Sequence, residues 1–219
     1  REVTMAGSPG LADWLAAQQI GLGFTTYQTN RLFLVGRKQD GALAINERLF
    51  DKPMGLFAQG DTLLMACRYQ IWQLDNRLAP GELHRDWDRL YVPSRSYTTG
   101  DLNVHDVVRD RHQRILFINT DFSCLAALHP GYSFEPVWCP PFIGKLAAED
   151  RCHLNGLALQ DGEATWVTAC SRTDVPAGWR HHRTDGGVVV HIPSNEIAGT
   201  GLSMPHSPRW HDGRLWLLN

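Results

Sequence analysis

Four stretches of this chain repeat one design: a polar residue leads into an apolar strand, a tight turn follows, and a second, strongly apolar strand returns. Aligning Met54, His105, Asn155 and His206 at the strand entries spaces the copies by 51, 50 and 51 residues. A self-similar period of about 50 residues is the mark of kelch-type blades, so the expected fold is an all-β β-propeller. One such unit cannot cover its own apolar face and must stack on its neighbours. The expected organisation is therefore a single domain over residues 1–219. A helix and lead-in occupy 1–22, and about four blades occupy 23–219, the last cut short in Leu215-Trp-Leu-Leu-Asn219. A propeller ring closes with roughly four to eight blades. Because the sequence opens on Arg1 and stops inside a strand pattern, the ring is expected to be incomplete in this piece.

Local signals fill in the blades. Ser8-Pro9 resembles a cap followed by a first-turn proline, with Leu11, Trp14 and Leu15 on one helical face. Gly23 to Gly36 and Ala42 to Ile45 carry the β-branched and aromatic residues of an atypical first blade, broken at Thr29-Asn30. Thr62 to Ala66 and Ile71 to Leu74 give the next blade its second and third strands, with an outer strand at Leu90 to Val92. Phe117, Trp166 and Trp216, on second strands, are expected to fill the core between blades. Ser171 to Gly186 is a polar insertion and is expected to form a surface loop.

Composition excludes several classes. A net charge of −2 and a pI near 6.6 lack the basic excess of a nucleic-acid binder. No run reaches the roughly 18 apolar residues that cross a bilayer, and no charged-then-apolar leader opens the sequence. The five cysteines are scattered without CxxC spacing, which suits reduced thiols in a cytoplasmic protein. No GxSxG, P-loop or GxGxxG motif is present.

In a propeller the first strand of each blade runs along the axis, so side chains at one aligned position converge from successive blades. That position holds His105 and His206, and His153 lies two residues before Asn155, on the same face of a period-two strand. His105, His153 and His206 are thus the candidate metal ligands, because three imidazoles with one open position make a site that acidifies water or polarises a carbonyl. Zinc, iron or manganese fits such a site. Asp101, Asp106 and Glu149 are the acid/base or ring-orienting candidates, in a neighbourhood that includes Asp150, while Asn155 and Arg151 are candidates for holding a cofactor or ligand. Asn155 and Met54 occupy the column without an imidazole, which leaves open a channel that holds only water or a small molecule.

The segments Phe24 to Thr29, Tyr97 to Leu102, Glu149 to Leu157 and Gly201 to Trp210 together resemble a bacterial family of domains of unknown function, sometimes associated with tetratricopeptide-repeat proteins. The resemblance spans essentially the whole chain and implies a propeller with further blades, but no activity. A looser architectural likeness is to propeller lyases and oxygenases that hold a metal through histidines from several blades, peptide-amidating lyase among them. The functional expectation is a polar axial pocket that binds a divalent metal and a small ligand, for lyase or hydrolase chemistry. The alternative is a noncatalytic scaffold whose rim loops dock a protein.

Overall fold

A computed structural model describes residues 6–219, so residues 1–5 of the expected lead-in lie outside it. The first element is a helix, α1 (Leu11–Gln18). It starts later than Ser8-Pro9 suggested: those residues form a turn, and Gly10, at φ 82°, precedes the helix without any side-chain cap. A left-handed φ is cheap only for glycine, which places the reversal there. Leu15 is buried while Trp14 stays 49% exposed, so only part of the expected apolar face packs. Its contact is with the first sheet.

That sheet comprises β1 (Leu22–Thr26), β2 (Arg31–Arg37) and β3 (Leu43–Leu49). Three four-stranded antiparallel sheets follow. The first holds β4 (Leu56–Gln59), β5 (Thr62–Ala66), β6 (Gln70–Asn76) and β7 (Tyr91–Thr98). The second holds β8 (Val104–Arg109), β9 (Ile115–Asn119), β10 (Cys124–Ala127) and β11 (Glu135–Trp138). The third holds β12 (Leu154–Gln160), β13 (Glu163–Ala169), β14 (Gly187–His191) and β15 (Glu196–Leu202). A hairpin of β16 (His206–His211) and β17 (Arg214–Leu218) ends the chain. This is the β-propeller expected from the period: β4 packs on β8, β8 on β12 and β12 on β16, so the first strands of the blades line the axis. The outer strand expected near Leu90 runs on to Thr98, which pairs with Gln70.

Apolar cores fill the spaces between sheets. Leu32, Leu63 and Met65 belong to one, Val104, Val107 and Phe117 to the next, and Leu154, Leu157 and Val190 to a third. Of the three second-strand aromatics only Phe117 is fully buried. Trp166 is half-buried beside His191 and Trp210, and Trp216 is 56% exposed.

Two glycines, each one residue past an aligned entry position, let the axial strands approach closely. A methyl on Gly55 would sit 2.7 Å from the Asp106 Cα, and one on Gly156 would sit 2.2 Å from the Pro208 Cδ. The Asp106 carboxylate ties the same strands together. It accepts the amides of Val107 and Leu157 at 3.0 and 3.1 Å and the Arg209 guanidinium at 2.9 Å, joining β8, β12 and β16. Burial pushes this carboxyl up, and Arg209 opposes the shift. Buried amides left without an acceptor are costly. Replacing Asp106 by alanine is accordingly expected to lower unfolding free energy by about 2–3 kcal/mol in denaturant titrations. Gly156→Ala is expected to cost about 1–3 kcal/mol by overpacking against Pro208, with a neutral result contradicting the close approach.

Candidate metal centre

The blade entries share a backbone device. Two residues before each aligned position stands a residue in the left-handed region: Lys52 at φ 48°, Asn103 at 51°, His153 at 50° and Met204 at 50°. In two copies the aligned histidine then folds back on that residue. The His105 Nδ1 lies 2.9 Å from the Asn103 carbonyl, and the His206 Nδ1 lies 2.6 Å from the Met204 carbonyl. A carbonyl only accepts, so Nδ1 carries the proton in both rings. Thr120 reinforces the first contact. Its hydroxyl donates to the Leu154 carbonyl at 2.6 Å and receives the His105 Nδ1 at 2.8 Å.

The third imidazole arrives by another route. His153 precedes β12 and is itself the left-handed entry residue, so strand parity with Asn155 is not what aims it. Asp150 does that, both carboxylate oxygens lying 3.0 Å from the His153 Nδ1. The carboxylate also accepts the Trp179 Nε1 at 2.8 Å, and the indole stacks on the His153 ring with centroids 4.1 Å apart. Acid, imidazole and indole therefore hold one another.

The three rings gather at the axis, with centroids 4.8, 6.1 and 6.2 Å apart. One nitrogen from each ring lies within 4.8 Å of the others. Since every Nδ1 points outward to an acceptor, the nitrogen left for a guest on each ring is Nε2. Desolvation by burial, together with the neighbouring His153, lowers the His105 pKa to about 3, and burial likewise lowers that of His206. These two rings are therefore neutral at ordinary pH and keep their Nε2 lone pairs.

The other candidate residues have protein partners. Asp101 is paired with Arg68 at 3.5 Å, and Glu149 with Arg151 at 2.6 Å. Arg151 also reaches Asp174 at 2.7 Å, and both acids of this cluster are held below the usual carboxylate range by the guanidinium. Asn155 is buried, receiving the Thr168 hydroxyl at 2.6 Å and donating to the His153 carbonyl at 3.2 Å. Asp106 belongs to the knot with Arg209. None of these five side chains is bonded to the three imidazoles through its polar atoms.

Three residues at the site were not singled out from the sequence as site residues. Thr120 and Trp179 carried no pattern that marked them. The insertion is the surface loop expected over most of its length, but Ser171, Gly178 and Trp179 are buried in it, and Trp179, in its short 3₁₀ turn (Gly178–His181), stacks on His153. Asp150 did leave a trace. In the flanking copies the corresponding positions, five residues before the aligned ones, are Gly100 at φ 80° and Gly201 at φ 76°, whereas Asp150 adopts φ 44° with a side chain. A non-glycine residue tolerated there points to a job for the side chain.

A further half-buried acid, Asp121, adjoins this corner, its carbonyl accepting the Glu149 and Asp150 amides at 2.9 Å each. Burial raises its carboxyl, and the charges of Asp150 and Asp101 add to the rise.

A family model described as a domain of unknown function, DUF4915, matches residues 9–219. The chain belongs to that family. No curated protein matches this DUF4915 chain in sequence. Among solved structures, selenomethionine-substituted virginiamycin B lyase from Staphylococcus aureus is similar at TM-score 0.51 and 12% identity, over 91% of this chain and 59% of that one. The same lyase in a catalytically inactive form with quinupristin gives 0.49 and 11%, over 90% and 59%. A streptogramin B lyase structure gives 0.45 and 10%, over 91% and 87%. The DUF4915 chain thus spans 59% of the length of the S. aureus lyase and shares its fold.

Because the folded His105 value of about 3 lies below the ordinary 6.5, the unfolded chain takes up this proton first. The stability His105 contributes is complete above about pH 6.5 and is lost as pH falls towards 3. Thermal unfolding of chelator-treated protein is expected to drop through that window, and His105→Gln is expected to flatten the drop. Equal slopes in the two proteins would contradict the burial of this ring.

Proposed function

We propose that this DUF4915 protein binds one divalent transition metal through His105, His153 and His206, and a small ligand beside it, for lyase or hydrolase chemistry. The observation that carries this reading is the gathering of the rings: each Nδ1 is engaged by an acceptor of its own, and one nitrogen from each ring lies within 4.8 Å of the others. Metal-binding imidazoles almost always have their second nitrogen engaged in this way. Three nitrogen donors without a carboxylate suit zinc or iron better than oxygen-seeking manganese or magnesium.

Imidazole ligands bring no negative charge to cancel a dication's, so a metal held there would supply strong Lewis acidity to a carbonyl or a water. The protein's own share is positional. Asp150 fixes the His153 tautomer and makes its ring a stronger donor, and Trp179 keeps bulk water off that ring's face. Asp101 and Asp121, on the Asp150 side, are the acid and base candidates on this reading.

Metal analysis of the purified protein is expected to give one tightly held ion, lost in His105→Ala and in His206→Ala with the fold retained by circular dichroism. Asp150→Gly restores the residue that the flanking repeats carry and so spares the backbone. It is expected to weaken zinc binding about 10- to 100-fold in competition with a chromophoric chelator. Metal-free protein that also fails to bind added zinc, with its fold intact, would refute the reading and favour the noncatalytic scaffold.

A further inference from the structure

The metal reading uses none of the five cysteines, yet two of them are placed as partners. In the sheet of β8 to β11, Leu125 pairs with Trp138 on antiparallel strands. Extending that register by one residue, past the end of β11, brings Cys139 to the position opposite Cys124. Directly opposed residues of an antiparallel pair have Cα atoms about 4.5–5.5 Å apart, within the roughly 4.4–6.8 Å that a disulfide spans. Both side chains pack into the same apolar core. Cys124 is fully buried at the head of β10, while Cys139, just past β11, is half-buried and accessible from outside. The pair thus combines a reachable sulfur with a sheltered one behind it.

We infer that Cys124 and Cys139 form a peroxide-reactive dithiol, with Cys139 the attacking residue and Cys124 the one that resolves it into a cross-strand disulfide. The Cys139 thiolate attacks hydrogen peroxide: an S–O bond forms, the O–O bond breaks, hydroxide leaves and Cys139 becomes a sulfenic acid. The Cys124 sulfur, giving up its proton, then attacks that sulfur. The S–S bond forms, the S–O bond breaks, and the departing hydroxide takes the proton as water. Two thiols lose two electrons and the peroxide is reduced to water.

A hydrogen bond from Cys124 lowers the Cys139 thiol, and that bond together with burial raises Cys124. The remaining cysteines are poor nucleophiles, since burial pushes Cys67, Cys152 and Cys170 up to about 12 each. A thiolate is the reactive form, so oxidation should select Cys139. The position also matters to the candidate centre. Cys124 follows the turn that presents Thr120 to His105, and Ser123 in that turn receives the Arg151 amide at 3.2 Å.

The test exposes the full chain to a few equivalents of hydrogen peroxide, blocks the remaining thiols with iodoacetamide and maps the peptides by mass spectrometry with and without reductant. The expected result is a reducible Cys124–Cys139 link, with loss of two of the five free thiols and recovery by dithiothreitol. Cys124→Ser is expected to leave a dimedone-reactive sulfenic acid on Cys139, and Cys139→Ser to stop the reaction. A link that joins Cys152 instead, irreversible oxidation of Cys139 without a link, or five thiols still free after treatment would each overturn the inference. The wild-type peptide map decides the matter even if a variant fails to fold.

Discussion

Where three axial strands crowd together, backbone amides leave water and must find acceptors, and the Asp106 carboxylate supplies them. It joins β8, β12 and β16 through two amides and the Arg209 guanidinium. Gly55 and Gly156 make the crowding sterically permissible. With these strands pinned, their entry residues are pinned as well, and the three imidazoles hang from those entries. Rigid support of this kind is what a preorganised site needs.

The repeat has diverged at the point where it can matter chemically. All four copies keep a left-handed residue two places ahead of the aligned position, so the backbone turn is common to them. Side chains on that shared turn differ. The copies at His105 and His206 offer an imidazole from the aligned position, whereas the copy at Asn155 offers one from the turn itself. Glycine gives way to Asp150 in that same copy, placing a carboxylate where His153 needs it.

The sequence made much of this legible, for a physical reason. A period of about 50 residues is a long-range signal that strand pairing must obey, so the blades, the axial strands and the meeting of His105 with His206 could be read directly. His153 was found by an argument the structure replaces: its direction comes from a left-handed turn and a carboxylate, not from strand alternation. Thr120 and Trp179 act through contacts across loops, which leave no period behind, while Asp150 is marked only by the glycines that the flanking copies carry in its place. Asp101, Asp106 and Glu149 were chosen for their nearness in sequence; each has a basic partner, and Asp101 keeps its place at this corner through its charge on Asp121. Trp179 was hidden by the polarity of its insertion, since composition describes a segment and not its one buried indole.

Equivalent slots on His105 and His206, and a different one for His153, give the axial cup no true rotational symmetry. Two of its rings lean on neutral peptide oxygens and the third on a charged carboxylate backed by an indole. Electron density offered to a guest is therefore lopsided, strongest from one wall. A molecule seated there would meet two like sides and one unlike, so the cup has a direction built into it.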